Sequence, residues 1–263
     1  MVGRVLYGLV FVAGVPLILI GWAVALERVT VMPRVHWPLP GALGVCGGLG
    51  LMAWSWWVLW RDARALPMNA FPPRRRVSRG PYAWVAHPIY AGFGLSWVGG
   101  CLCVGSGAGL WIVGPILVLA MAALVIGYEA DATRARLGSA EHPPRVAFAG
   151  ISGERPTAWQ RASVYILVLL PWSVVYEAVG HLPVPGAVEA FMPGERAWPV
   201  YAGTAPLYSS VYALVLAAPL LCRSRCVLRR FCEAGVVATV VAVSYTHLRA
   251  HETKANLVCR LLL

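Results

Sequence analysis

The stretch GPYAWVAHPIYAG, Gly80 to Gly92, gathers Tyr82, His87, Pro88 and Tyr90 immediately after an arginine-rich loop. A second stretch, YEADATRARLG, Tyr128 to Gly138, supplies Glu129 and Asp131. Histidine exchanges its proton near neutral pH. Carboxylates pair with cations or take protons from acids. If the chain folds the two stretches together, a proton acceptor, hydroxyl groups and an anion converge on one site. There is also a purely structural reading. Tyrosine and tryptophan form belts at membrane surfaces, arginine marks cytoplasmic loops, and Glu129 is then only a charge at a helix end.

Composition decides what must hold these residues. The 263-residue chain is 59% hydrophobic and 13% charged, with a mean hydropathy of +0.67. Soluble domains carry about one quarter charged residues. Apolar runs suited to about 20-residue membrane helices are expected at Val5–Leu26, Gly41–Trp60, Ile89–Val104, Ala108–Gly127, Ala162–Gly180, Tyr201–Cys222 and Phe231–Val243. The expected fold is therefore all-α and polytopic, with about seven transmembrane helices. Val5–Leu26 is too long for the apolar core of a signal peptide, and no A-x-A-like site closes it, so it is expected to be retained.

The turn GSGAG between the third and fourth runs is short enough to demand a tight helical hairpin. His87 at the start of that hairpin and Glu129 at its end must then lie at the same membrane face. The formal net charge of +11 is carried almost wholly by arginine. The arginines cluster at Arg61–Arg79, Arg134–Arg161 and Arg223–Arg230, all on one side if the N-terminus is cytoplasmic. Such loops suit anionic lipid head groups. No basic stripe interleaved with aromatics suggests a nucleic-acid surface.

Other candidates yield to simpler readings. GLGLMA, Gly48 to Ala53, fits a loose G-x-G-x-x-A pattern, but it lies within an apolar run and lacks the strand that a nucleotide site requires. Gly44 and Gly48 instead mark a small-residue packing face. The seven cysteines show neither disulfide nor zinc spacing, and no metal site is expected. Glu177 and Glu233, near span ends, read as snorkelling acids, and His181 as interfacial.

NAFPPRRRVSRGPYAWVAHPIYAG resembles the signature of the isoprenylcysteine carboxyl methyltransferase and phospholipid methyltransferase families. Pro72, Pro73, Val77, Gly80, Pro81, Tyr82, His87, Pro88, Tyr90 and Gly92 match its pattern in register. Glu129 matches the first acid of the family's second motif, and Leu137 and Gly138 take the places of its Phe-Gly. Ala86 stands where the family usually has arginine, and Ala130 where it has a second glutamate. The resemblance implies an integral membrane enzyme that uses S-adenosylmethionine. The methyl acceptor would be a membrane lipid or a prenylated small molecule reaching a site at the cytoplasmic face, in a bacterial cytoplasmic membrane. It assigns catalytic roles to His87 and Glu129, and cofactor binding to Tyr82, His87, Pro88, Tyr90, Glu129 and Asp131. The alternative from another class is a non-catalytic, lipid-binding membrane domain.

The resemblance covers about residues 1–150 and sets the first expected domain at 1–153. Residues 154–243 resemble the start of a type-2 phosphatidic acid phosphatase domain, without that family's Ser-Gly-His segment, which makes a fragment of a lipid phosphatase fusion a further alternative. The segment 244–263 holds the only lysine, Lys254. It resembles the tail left by read-through into a sequencing adapter and is expected to be non-native.

The arginine asymmetry makes a topological prediction. Cysteines introduced into Arg61–Arg79 or Arg134–Arg161 should resist labelling by an impermeant thiol reagent applied from outside the cell. Strong labelling there would reverse the orientation.

Overall fold

The computed structural model describes residues 8, 10–65, 73, 75–138, 144–180 and 204–252. Its elements are α1 (Val10–Val29), α2 (Pro38–Ala63), the short α3 (Pro81–Trp84), α4 (Pro88–Val104), α5 (Gly109–Leu137), α6 (Ala158–Ala178), α7 (Thr204–Leu221) and α8 (Arg225–Glu252). Among the described residues the only β-type pairing is an isolated parallel bridge between Val85 and Val146. The all-α expectation therefore holds.

Among the described residues four helices are long and apolar enough to cross a membrane: α1, α2, α5 and α6, of 20, 26, 29 and 21 residues. Their side chains face outward to a degree that water would not tolerate: Val12 is 78% exposed, Ile18 70% and Leu39 71%. These faces suit lipid. α4 is a shorter apolar helix of 17 residues. Of the seven expected spans, four thus fall on helices that are both long and apolar enough among the described residues. The start of the sixth, at Tyr201, lies outside the described residues, as do His181 and the loop after it. α8 runs on through residue 244 to Glu252, so the change of composition there does not end the helix.

Two compact units form, Met1–Gly150 with Thr157–Pro183, and Ile151–Pro156 with Val184–Leu263. In the first, Met32, Ile112 and Ala178 make a buried cluster that joins α5 and α6 to the segment after α1. Packing thus places α6 with the first unit, where the resemblance drew its boundary at residue 153. In the second unit the backbone N–H of Arg225 donates to the Glu154 carbonyl at 2.8 Å and the two side chains form an ion pair. Glu233, expected to snorkel, pairs with Arg229, whose side chain is only 2% exposed.

The closest helix contact joins α2 to α4, and glycine permits it. A Cβ on Gly99 would lie 2.6 Å from the Val45 nitrogen and 2.7 Å from the Gly41 oxygen. One on Gly92 would lie 2.7 Å from the Gly48 oxygen. Without side chains the two backbones meet directly, which is how helices gain contact where lipid offers no hydrophobic drive. Gly44 and Gly48 lie on this face, as the sequence suggests.

Proline sets where the helices begin. Pro88 opens α4 at a position where its fixed φ suits the helix and its missing N–H costs nothing. Gly105, with φ of 69°, closes α4 in a left-handed conformation, and α5 starts four residues later, so the expected hairpin is present.

Gly48→Leu should push α2 away from α4 and cost on the order of 1–3 kcal/mol or more, as overpacking does. Gly50→Leu is the control, because nothing lies within 4 Å of a Cβ there. Thermal unfolding in detergent should separate the two variants clearly; equal melting temperatures would refute the contact.

Candidate active site

The His-Pro pair explains how the site begins. A residue before proline is driven off the helical region, and His87 has φ −126° and ψ 68°. Its side chain therefore stands at the mouth of α4 instead of within it. Tyr90 comes one turn later, and residues three apart share a helix face. The two rings stack, with centroids 5.6 Å apart and planes inclined by 8°.

Gly80 and Gly92 serve the same placement. Gly80 has φ 58° and ψ −133°, a conformation open chiefly to glycine. A Cβ there would also press within 3.2 Å of Val58. The loop thus lies against the end of α2 before it turns into α3. Gly92 seats the first turns of α4 on α2, so His87 and Tyr90 inherit their position from the α2–α4 contact.

Glu129 arrives from the other arm. Residues Val125–Glu129 form a π turn, closed by the Ala130 N–H donating to the Val125 carbonyl. One extra residue in a turn rotates the later part of the helix by about 100°. Tyr128 is left 59% exposed, whereas the Glu129 side chain is only 11% exposed. One carboxylate oxygen lies 3.1 Å from Nδ1 of His87. The other accepts a short hydrogen bond from the Tyr90 hydroxyl. A carboxylate at Nδ1 holds the proton of a neutral imidazole there and leaves Nε2 as its acceptor nitrogen. The arrangement offers an oriented base, an anion and an aromatic face within one cluster.

The other expected residues fall differently. Pro88 is buried, at the foot of the cluster. Tyr82 is partly buried in α3, and burial pushes its hydroxyl up to about 12, so it is a hydroxyl at any physiological pH. Asp131 is about half exposed and pairs with Arg134 at 3.2 Å.

Two features lie outside the motifs. The backbone after α5 returns to the site: the Ala86 N–H donates to the Val146 carbonyl and the Val146 N–H to the Trp84 carbonyl, both at 2.9 Å. This strap carries the Arg145 guanidinium to 4.6 Å from the Trp84 ring centre. At the other end of the hairpin, Glu27 accepts from the Ser106 hydroxyl at 3.0 Å and from the Ala108 N–H at 2.8 Å, and pairs with Arg34. Glu27 had a signal of its own, because it is an acid at the end of an apolar run, where ionisable groups are costly. The strap had none: two backbone hydrogen bonds leave no mark on side-chain identity.

His87→Ala and Tyr90→Phe each remove one partner of the same carboxylate. Their stability costs should therefore fail to add, with a coupling of about 0.5–3 kcal/mol. A double-variant cycle, read by reversible unfolding in mixed detergent, measures it; strict additivity would mean the three groups do not act together. No family model matches the chain, and no curated protein or solved structure matches it.

Proposed function

We propose that this chain is an integral membrane methyltransferase that uses S-adenosylmethionine and a lipid or prenylated acceptor. The observation that carries the proposal is the meeting of His87, Tyr90 and Glu129 at one end of the α4–α5 hairpin. A site at the boundary between water and membrane suits both a polar cofactor from the aqueous side and an acceptor from the bilayer. The reading includes seven membrane spans, supported by the seven apolar runs, a cytoplasmic N-terminus, supported by the arginine-rich loops, and a bacterial cytoplasmic membrane, supported by the bias to arginine over lysine.

The donor set fits the cofactor. A carboxylate offers about four lone-pair positions, and two of those on Glu129 are taken by His87 and Tyr90. A carboxylate held in this way suits the cofactor's ammonium group or a ribose hydroxyl as a partner. Tyr82 supplies a hydroxyl donor and the stacked Tyr90 an aromatic face, its own hydroxyl proton being given to Glu129. When bound, S-adenosylmethionine supplies an electrophilic methyl group on a sulfonium.

The protein's own task is to align the acceptor with that methyl group and to keep water out. A carboxylate acceptor is already an anion and needs no base. An amine acceptor must lose a proton, and His87 is suited to take it at Nε2, with Glu129 stabilising the resulting imidazolium.

A second reading has its own support. Both Glu129 oxygens already have partners, and Ala86 and Ala130 lack the polar groups of the related motif. A cluster satisfied from within suits a membrane domain that only packs or binds lipid.

Calorimetry separates the two. The purified chain should bind S-adenosylmethionine, and His87→Ala or Glu129→Gln should weaken binding roughly ten- to a hundredfold, the loss of one charged hydrogen bond. Folding is checked independently by melting temperature. Unchanged affinity in both variants removes the site assignment, and absence of binding by the parent favours the non-catalytic domain.

A further inference from the structure

We propose that Arg145 and Trp84 form a docking point for the head group of an anionic phospholipid, beside the cluster but separate from it. The first ground is the position of Trp84. It is 59% exposed, and the end of α2 against which its loop packs carries Trp56, Trp57 and Trp60, exposed by 51%, 63% and 45%. Tryptophan gathers where hydrocarbon gives way to head groups. These side chains therefore mark the depth of lipid phosphates.

The second ground is how Arg145 is held. The strap is pinned on both sides of Val85 by the two Val146 hydrogen bonds. That register sets the preceding residue, Arg145, over the Trp84 ring at 4.6 Å. A guanidinium held over a ring face makes no hydrogen bond to the ring carbons beneath it, and its N–H groups, which point outward in its own plane, can address an anion beside the ring.

The third ground is charge. Three other arginines are already engaged. Arg134 is paired with Asp131, and Arg76 donates to the Gly138 carbonyl. Arg79 feels Asp62, which is itself paired with Arg61. Among the described residues no carboxylate pairs with Arg145, which rests instead on the uncharged Trp84 ring. It is a fixed, exposed cation at phosphate depth. The complementary partner is a phosphodiester whose acyl chains lie against the apolar flank below. Free phosphate shares the charge but not the chains.

This inference rests on membrane embedding and not on methyl transfer, so either can fail without the other. The test titrates the detergent-solubilised full chain with short-chain phosphatidylglycerol, short-chain phosphatidylcholine and inorganic phosphate, and counts bound molecules by native mass spectrometry. The parent should favour phosphatidylglycerol over phosphatidylcholine. Arg145→Gln should reduce phosphatidylglycerol binding by roughly fivefold, the size of one basic residue at an anionic surface. Binding of phosphatidylcholine should stay as it was, and Arg145→Lys should recover part of the loss. Trp84→Leu leaves the charge but removes its support; it should give an intermediate loss, and it serves if Arg145→Gln does not fold. Equal losses for both lipids would overturn the proposal, since they would mean a packing role. Unchanged phosphatidylglycerol binding in Arg145→Gln would overturn it too, and so would inorganic phosphate competing as well as the lipid.

Discussion

A membrane offers helices no hydrophobic reason to associate, so close backbone contact must supply what apolar burial supplies in water. The bare approach of α2 to α4 meets that requirement here. It needs glycine on both helices at Gly41, Gly48, Gly92 and Gly99. α4 is then fixed along its length, and with it the place where Pro88 opens the helix. Gly80 brings the preceding loop onto Val58 and Trp54 of the same α2. The positions of His87 and Tyr90 are thus set by residues that have no chemistry of their own.

The carboxylate of Glu129 imposes the complementary constraint. A charge that is largely buried must be paired or hydrogen-bonded. Both partners come from the start of α4, so the contact also closes the hairpin. The same three residues can therefore serve stability and chemistry together. This is why they can be read either as an enzyme's site or as a clasp, and why ligand binding separates those readings better than geometry.

Much of this is legible in the residues alone. Apolar runs of sufficient length reveal α1, α2, α5 and α6, and GSGAG reveals the hairpin that joins His87 to Glu129. The spacing of Gly44 and Gly48 discloses a packing face. It does not name the partner, because small residues permit approach by any helix that is itself small-faced. The side on which Asp131 emerges is hidden from the sequence for a related reason. Regular 3.6-residue periodicity gives no warning of the π turn at Val125–Glu129, which sets the side on which each later residue emerges. The strap through Val146 depends on backbone groups that every residue shares.

Glu27 gives the hairpin the mechanics of a pair of tongs. Its hydrogen bonds to Ser106 and Ala108 hold the turn between α4 and α5, so the joint is at one membrane face and the tips are at the other. A 17-residue arm is about 25 Å long. Tilting it by about 5° at the joint moves the tip by about 2 Å, the difference between a hydrogen bond and none. Any substitution that loosens the grip of Glu27 should thus be felt most at the far end of the arm, where His87 meets Glu129.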